Sequence, residues 1–243
     1  MSGRVALVTG STSGIGEGVV RRLVAAGDQV VINSSSSVDA GNALVAELGA
    51  QQAHYVQADI SDEIAVQRMI DETIERFGRL DVLVNNAGTT VRIPHDDFAT
   101  ASPEVFRRLY DVNVVGTWCV TVAAMPHLQA TGNGCIVNVT SLAGVRPTGS
   151  SIPYAVSKAA MNHLTLLLAN TVAPTVRVNA VAPGLVDTPW TADWTDLHEA
   201  IRHAAPMKRA AVPDDVAQVV ESLIDSPYVT GQIWIVDGGL GLR

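Results

Sequence analysis

Tyr154 and Lys158 stand four residues apart in the run Tyr154-Ala155-Val156-Ser157-Lys158. On a helix that offset brings both side chains to one face, one turn apart. A free phenol, with a pKa of about 10, releases its proton too reluctantly for work near neutral pH. An ammonium beside it favours the phenolate and lowers that pKa. The pair is therefore expected to exchange a proton with a substrate oxygen, Tyr154 carrying the proton and Lys158 tuning its acidity. The chain contains two lysines, Lys158 and Lys208, and four tyrosines, so chance rarely produces this spacing.

A second constellation lies near the N-terminus, in Thr9-Gly10-Ser11-Thr12-Ser13-Gly14-Ile15-Gly16. It separates an apolar run from an amphipathic one. Gly10 allows a sharp turn, Gly14 lets backbone approach a pyrophosphate, and Gly16 lets helix and strand pack closely. The start of the following helix offers unpaired N–H groups and the positive end of its dipole to an anion. A dinucleotide is the ligand this context predicts.

Both constellations need a frame. Apolar runs bounded by Gly, Asp, Asn and Pro predict strands at Arg4–Thr9, Gln29–Asn33, Ala53–Gln57, Leu80–Val84, Cys135–Val139, Val176–Val181 and Gln232–Val236. Helical spacing marks Ile15–Ala26, Val38–Leu48, Ile64–Phe77 and Tyr154–Val172. Alternating strands and helices predict an α/β, Rossmann-type, doubly wound parallel sheet of about seven strands with helices on both faces. No repeat or linker divides the chain, so residues 1–243 are expected to form a single domain. Gly184–Pro213 breaks the rhythm with Pro, Trp and mixed charge and no clear strand. It follows a strand end, where such sheets bind ligands, and is expected to be a substrate-binding loop or lid.

Composition narrows the partners. The formal net charge is −8, and no basic footprint exists to neutralise phosphates, which argues against nucleic acid and anionic membrane. No apolar stretch approaches the roughly 18 residues of a membrane span, and no charged segment with a cleavage site precedes the first strand. Cytoplasmic location is expected. Cys119 and Cys135 lie in apolar runs and read as buried thiols of a reducing compartment. The six histidines show no zinc-ligand spacing, so no metal is expected.

The spacing Gly-x-x-x-Gly-x-Gly followed by Tyr-x-x-x-Lys resembles the single-domain short-chain dehydrogenase/reductases, and among them the 3-oxoacyl-carrier-protein reductases. The resemblance spans essentially the whole chain. It implies that Ser141, thirteen residues before Tyr154, steadies the substrate oxygen. Asn113 would bend its helix and relay a replacement proton to Lys158, completing a catalytic set of Asn113, Ser141, Tyr154 and Lys158. It assigns cofactor contacts to Gly10, Ser11, Thr12, Ser13, Gly14, Ile15 and Gly16. Ser34 and Ser35 would lie beside the adenosine ribose. Asp59, with Ile60, would accept from the adenine amino group. Asn85-Asn86-Ala87-Gly88 would place Asn86, Ala87 and Gly88 against the riboses. Pro183, Gly184, Val186 and Thr188 would cap the nicotinamide, and Tyr154 and Lys158 would hold its ribose. Val236-Asp237-Gly238-Gly239 would end the last strand, whose flanks build a tetramer interface. The expected assembly is a homotetramer or a homodimer.

The implied activity is an NAD(P)(H)-dependent interconversion of a small ketone and a secondary alcohol. NADP(H) is favoured because Ser34 occupies the usual acidic position of NAD enzymes and Ser35–Ser37 add hydroxyls. Reduction of 3-oxoacyl chains on a carrier protein or coenzyme A is the alternative. The acidic balance of the chain counts against an acidic carrier, although Arg107, Arg108 and Arg146 could still form a basic patch. Arg92, His95 and Arg146 are candidates to line the substrate site, with Trp190 and Trp194 as an apolar cover. A silent nucleotide-sensing regulator is disfavoured by the intact Ser141, Tyr154 and Lys158. An extended-branch epimerase or dehydratase is disfavoured by chain length and glycine spacing.

Overall fold

Valine-rich runs bounded by turn residues become strands in the computed structural model, which describes residues 3–242. They are β1 (Val5–Val8), β2 (Gln29–Ser34), β3 (Ala53–Gln57), β4 (Val82–Asn85), β5 (Gly134–Val139), β6 (Val176–Pro183) and β7 (Ile233–Val236). Their ends depart from the sequence reading by no more than two residues. All pair in parallel, in the order β3-β2-β1-β4-β5-β6-β7. The winding reverses between β1 and β4, which opens a crevice at the carboxyl ends of the strands. Val8 faces both Ile32 and Val84, so the segments after β1, β2 and β4 leave the sheet at one level.

Among the described residues eight α-helices cover the sheet: α1 (Gly14–Ala25), α2 (Val38–Leu48), α3 (Glu63–Phe77), α4 (Pro103–Tyr110), α5 (Thr117–Ala130), α6 (Ile152–Val172), α7 (Thr195–Ala204) and α8 (Pro213–Asp225). Alternate strand residues face opposite sides. Ala6 and Val8 pack with Val20, Leu23, Val220 and Leu223 beneath α1 and α8. Val5 and Leu7 pack with Met69, Ile70, Val120 and Leu128 beneath α3 and α5. Each such fully buried Leu, Ile or Val contributes about 1.5–3 kcal/mol relative to exposure.

Helical spacing marked α1, α2, α3 and α6, and the stretch of His198 and His203 also reads as helix, but α4, α5 and α8 carried no such mark. In α5, Thr117, Val120, Thr121, Ala124 and Leu128 are buried while Trp118 and Val122 are exposed. Apolar residues on both faces erase the stripe that a half-buried helix shows. Between α4 and α5 the backbone makes a wide π-helical turn, Asp111–Gly116, with Asn113 inside it.

Residues 184–213 contain α7, on which His198 and His203 lie, and a short 3₁₀ turn at Pro189–Thr191. A parallel bridge, Val186 to Ala211, closes the neck of the excursion. The Asp187 N–H donates to Ala211 O at 2.8 Å, and the Ala211 N–H to Leu185 O at 3.0 Å.

Candidate active site

The turn after β1 is locked to the turn after β4. The Thr9 hydroxyl accepts from the Asn86 and Ala87 N–H groups, both at 3.0 Å. The Asn86 amide donates to Thr9 O at 2.9 Å and Gly10 O at 2.7 Å. This leaves no room for side chains. Gly10 has φ +60°, and a Cβ there would stand 2.8 Å from Ala87 Cα. A Cβ on Gly16 would stand 2.5 Å from Asn86 Nδ2 and 2.6 Å from Gly10 O. Asn85 serves differently. It is buried and donates to Thr121 and Asn138, tying β4 to α5 and β5.

A cavity of about 780 Å³ lies above these turns. Thr12, Ser13, Gly14 and Ile15 line one end, with Ser34, Ser35, Asp59 and Ile60 beside them. Asn86, Ala87 and Gly88 form part of its floor. Ser141, Tyr154 and Lys158 line it further on, with Pro183, Gly184, Val186 and Thr188. Ser13 is the N-cap of α1, yet its side chain makes no capping bond. The first N–H groups of α1 therefore remain available to an anion at the cavity wall. Bare glycine backbone, an uncapped helix start and a floor of small residues fit a dinucleotide.

Three predicted site residues stand behind the wall rather than in it. The Ser11 hydroxyl is buried, donating to Val8 O at 2.6 Å and accepting from the Asn33 N–H at 3.0 Å. Gly16 supplies close packing and no lining surface. Asn113 is also buried. Its Oδ1 accepts from the Thr89 N–H at 2.7 Å, and its Nδ2 donates to Thr89 O and to the Ser157 hydroxyl, both at 3.0 Å. It braces the π-helical turn against α6 and the segment after β4. A Cβ on Gly88 would stand 3.2 Å from Asn113 Oδ1 and 3.5 Å from Lys158 Nζ, so the amide borders the lysine.

The reacting side chains ride on the first turns of α6. This helix starts two residues before the expected Tyr154, because Pro153 suits a first turn and Ser151 caps it, accepting from the Tyr154 N–H at 3.3 Å. Lys158 Nζ donates to Val139 O at 3.0 Å and lies 5.8 Å from the Tyr154 ring centre. Burial pushes the Tyr154 phenol up to about 12, opposed by the Ser141 hydroxyl beside it. Burial pulls Lys158 down to about 8. The direction is therefore set by burial and not by the ammonium, whose Nζ is given to the β5 carbonyl.

Other expectations also shift. Arg92 does not line the cavity. It pairs with Asp196 at the start of α7, and its guanidinium lies 6.0 Å from the Trp194 ring centre. His95 is hydrogen-bonded to Gly149 O at 3.1 Å, and Arg146 donates to Gly241 O at 3.1 Å. Neither they nor Arg107 line the cavity, whereas Arg108, Trp190 and Trp194 do. Sequence reasoning missed Thr90, Ser150, Leu185, Leu197 and Leu240 as lining residues. Thr90 lies two residues after Asn85–Gly88, within reach of that motif, while Leu240 comes from the far end of the chain without any local signal.

The Enoyl-(Acyl carrier protein) reductase family model matches residues 10–241. A protein assigned as ketoacyl reductase 2 of the granaticin polyketide synthase of Streptomyces violaceoruber is 54% identical, over 98% of this chain and 96% of its own. A Burkholderia xenovorans protein described as a short-chain dehydrogenase/reductase superposes with TM-score 0.92 at 38% identity, covering all of both chains. The 3-ketoacyl-(acyl-carrier-protein) reductase of Brucella melitensis, complexed with NADH, gives TM-score 0.91 at 33% identity over 99% of each chain.

Proposed function

The chain belongs to the short-chain dehydrogenase/reductase family, and from that membership we propose an NADP(H)-dependent reductase of a ketone, with Tyr154 as its acid and base. The broader activity is that of an NAD(P)-dependent oxidoreductase interconverting a carbonyl and an alcohol. The observation that carries the proposal is one cavity holding the uncapped start of α1 together with Ser141, Tyr154 and Lys158.

When bound, the dinucleotide supplies or accepts the hydride. The chain's own residues handle the oxygen. The Ser141 hydroxyl holds it, and the Tyr154 phenol gives it a proton in reduction and takes one back in oxidation. Lys158, where charged, stabilises the phenolate left behind. Asn113 is a positioning residue that borders the lysine. Thr12 to Ile15 would hold the pyrophosphate, Asp59 and Ile60 the adenine, and Pro183, Gly184, Val186 and Thr188 would cover the nicotinamide. Residues 184–213 cover the substrate.

Preference for NADP(H) rests on the end of β2. No carboxylate stands there to repel a 2′-phosphate. The Ser34 hydroxyl is tied to Tyr55 at 2.9 Å and accepts from the Ser37 N–H at 3.0 Å, while Ser35 and Ser37 line the cavity. Ser37 is the N-cap of α2 but makes no side-chain capping bond. Steady-state kcat/KM for both nucleotides tests this, with Ser34→Asp expected to swing the ratio about tenfold or more toward NADH. A wild-type preference for NADH would overturn it.

A second reading, reduction of a 3-oxoacyl thioester, is favoured by ketoacyl reductases among the relatives. Comparing a thioester with a free ketone as substrate separates the two. A homotetramer, or a homodimer, in the cytoplasm completes the proposal. Exposed Trp118, Val122 and Leu167, and Trp234 and Ile235 on β7, support it. No described helix is long and apolar enough to cross a membrane. We include no nucleic acid, membrane or metal in its working state.

A further inference from the structure

The part of the cavity beyond Tyr154 has two unlike sides. Leu142, Leu185, Trp190, Trp194 and Leu197 give it broad apolar surface. Against this stand two hydroxyls, Thr90 on the segment after β4 and Ser150 four residues before Tyr154. Their Oγ atoms are 2.5 Å apart, and both side chains are half-buried. The neighbouring Gly149 has no room for a side chain, since a Cβ there would meet Ala143 Cβ at 2.7 Å and Tyr154 Cδ1 at 3.8 Å. Gly149 thus packs beside the Tyr154 ring, and the hydroxyl pair lines the same cavity as the phenol.

Hydrogen-bond accounting gives the pair a purpose. One hydroxyl donates to the other, which leaves one O–H and several lone pairs facing the cavity. Such a pair can donate to a carbonyl or exchange bonds with a hydroxyl. The lining residues of 141–150 and 185–201 carry no charge, and the Arg92 guanidinium is taken by Asp196 and lies off the lining. The cations that line the cavity are Arg108 on α4 and Lys158, whose Nζ is given to Val139 O. A carboxylate or phosphate held by those two segments alone would lose water without gaining a counter-ion from them.

We propose that Thr90 and Ser150 are specificity residues that anchor a second, uncharged oxygen of the substrate, whose apolar ring lies against Trp190 and Trp194. The substrate class is an uncharged cyclic ketone bearing a further hydroxyl or carbonyl group. The proposal rests on the ketone-reductase reading above and deepens it.

The bland account is a clip between two loops, since the Ile93 N–H also donates to Ser150 O at 2.8 Å. The test separates the two. NADPH oxidation is followed with β-tetralone and with its ring-hydroxylated and ring-carboxylated derivatives, in the wild type and in Thr90→Val and Ser150→Ala. The readout is the ratio of kcat/KM for the hydroxylated ketone over the plain one. We expect a wild-type ratio of about fivefold to tenfold, one hydrogen bond's worth, collapsing toward unity in both variants. The carboxylated ketone should be the poorest substrate of the three. A structural clip would lower both ketones together and leave the ratio intact, which would overturn the proposal. So would a wild-type ratio of one, or efficient reduction of the carboxylate. Failure of the wild type to reduce any of the three would instead sink the ketone-reductase reading and this proposal with it.

Discussion

The nucleotide half of the cavity and its substrate half are held in different ways. The first is made of strand ends and helix starts, joined by backbone contacts through Thr9, Gly10, Gly16 and Asn86. The second leans on residues 184–213, whose neck is bridged at Val186 and Ala211 but whose far side is held by the exposed Arg92–Asp196 pair. Backbone packing in a dry interior tolerates no added atom. An exposed ion pair contributes about 0.2–1 kcal/mol and weakens with salt. Substitutions in the first half should therefore cost stability and nucleotide binding, and those in the second should change substrate handling alone.

Between the two halves stand Ser141 and Tyr154, where the largest effect belongs. Ser141→Ala should lower kcat/KM by about 10²–10³, the usual cost of one oxygen-holding donor, with nucleotide affinity preserved. Steady-state kinetics with a nucleotide titration checks this; an equal loss of affinity would erase the distinction between halves. The pH profile comes next. With the phenol held up at about 12, the phenolate needed for alcohol oxidation should grow about tenfold per pH unit below pH ~8, and kcat/KM for oxidation should rise with it. In reduction the phenol is already the proton donor. Its profile should fall above about 8, where Lys158 loses its charge as pH rises. A reduction profile that climbs with pH would contradict the assignment.

Gly16→Ala sharpens the comparison on the rigid side. Its Cβ meets Asn86 and the Gly10 carbonyl, and overpacking of this kind costs about 1–3 kcal/mol. Calorimetry should show Tm falling by about 2–4 °C per kcal/mol, and an unchanged Tm would refute the close packing. Arg92→Ala should have the smallest effect. KM for the ketone should rise by no more than about fivefold, while the Kd for NADPH stays the same. High salt should reproduce that rise in the wild type.

The same division explains what could be read from the chain alone. Gly10, Gly14 and Gly16 were legible because backbone geometry permits few other residues there. Tyr154 and Lys158 were legible because a helix turns spacing into proximity. The seven strands were legible because burial on both faces leaves nearly unbroken valine and isoleucine. Thr90, Ser150 and Leu240 meet only through tertiary folding, so no local pattern announces them. Arg92 looked like a substrate contact until Asp196, more than a hundred residues on, was found to hold it. The upward push on Tyr154 was not legible because depth of burial is a property of the packed molecule.

The most direct test is single-turnover hydride transfer in Tyr154→Phe, loaded with NADPH and mixed with a ketone that the wild type reduces. The account predicts nucleotide affinity within about twofold of wild type, and a transfer rate lower by about 10²–10⁴. Transfer at the wild-type rate from the same bound nucleotide would contradict it.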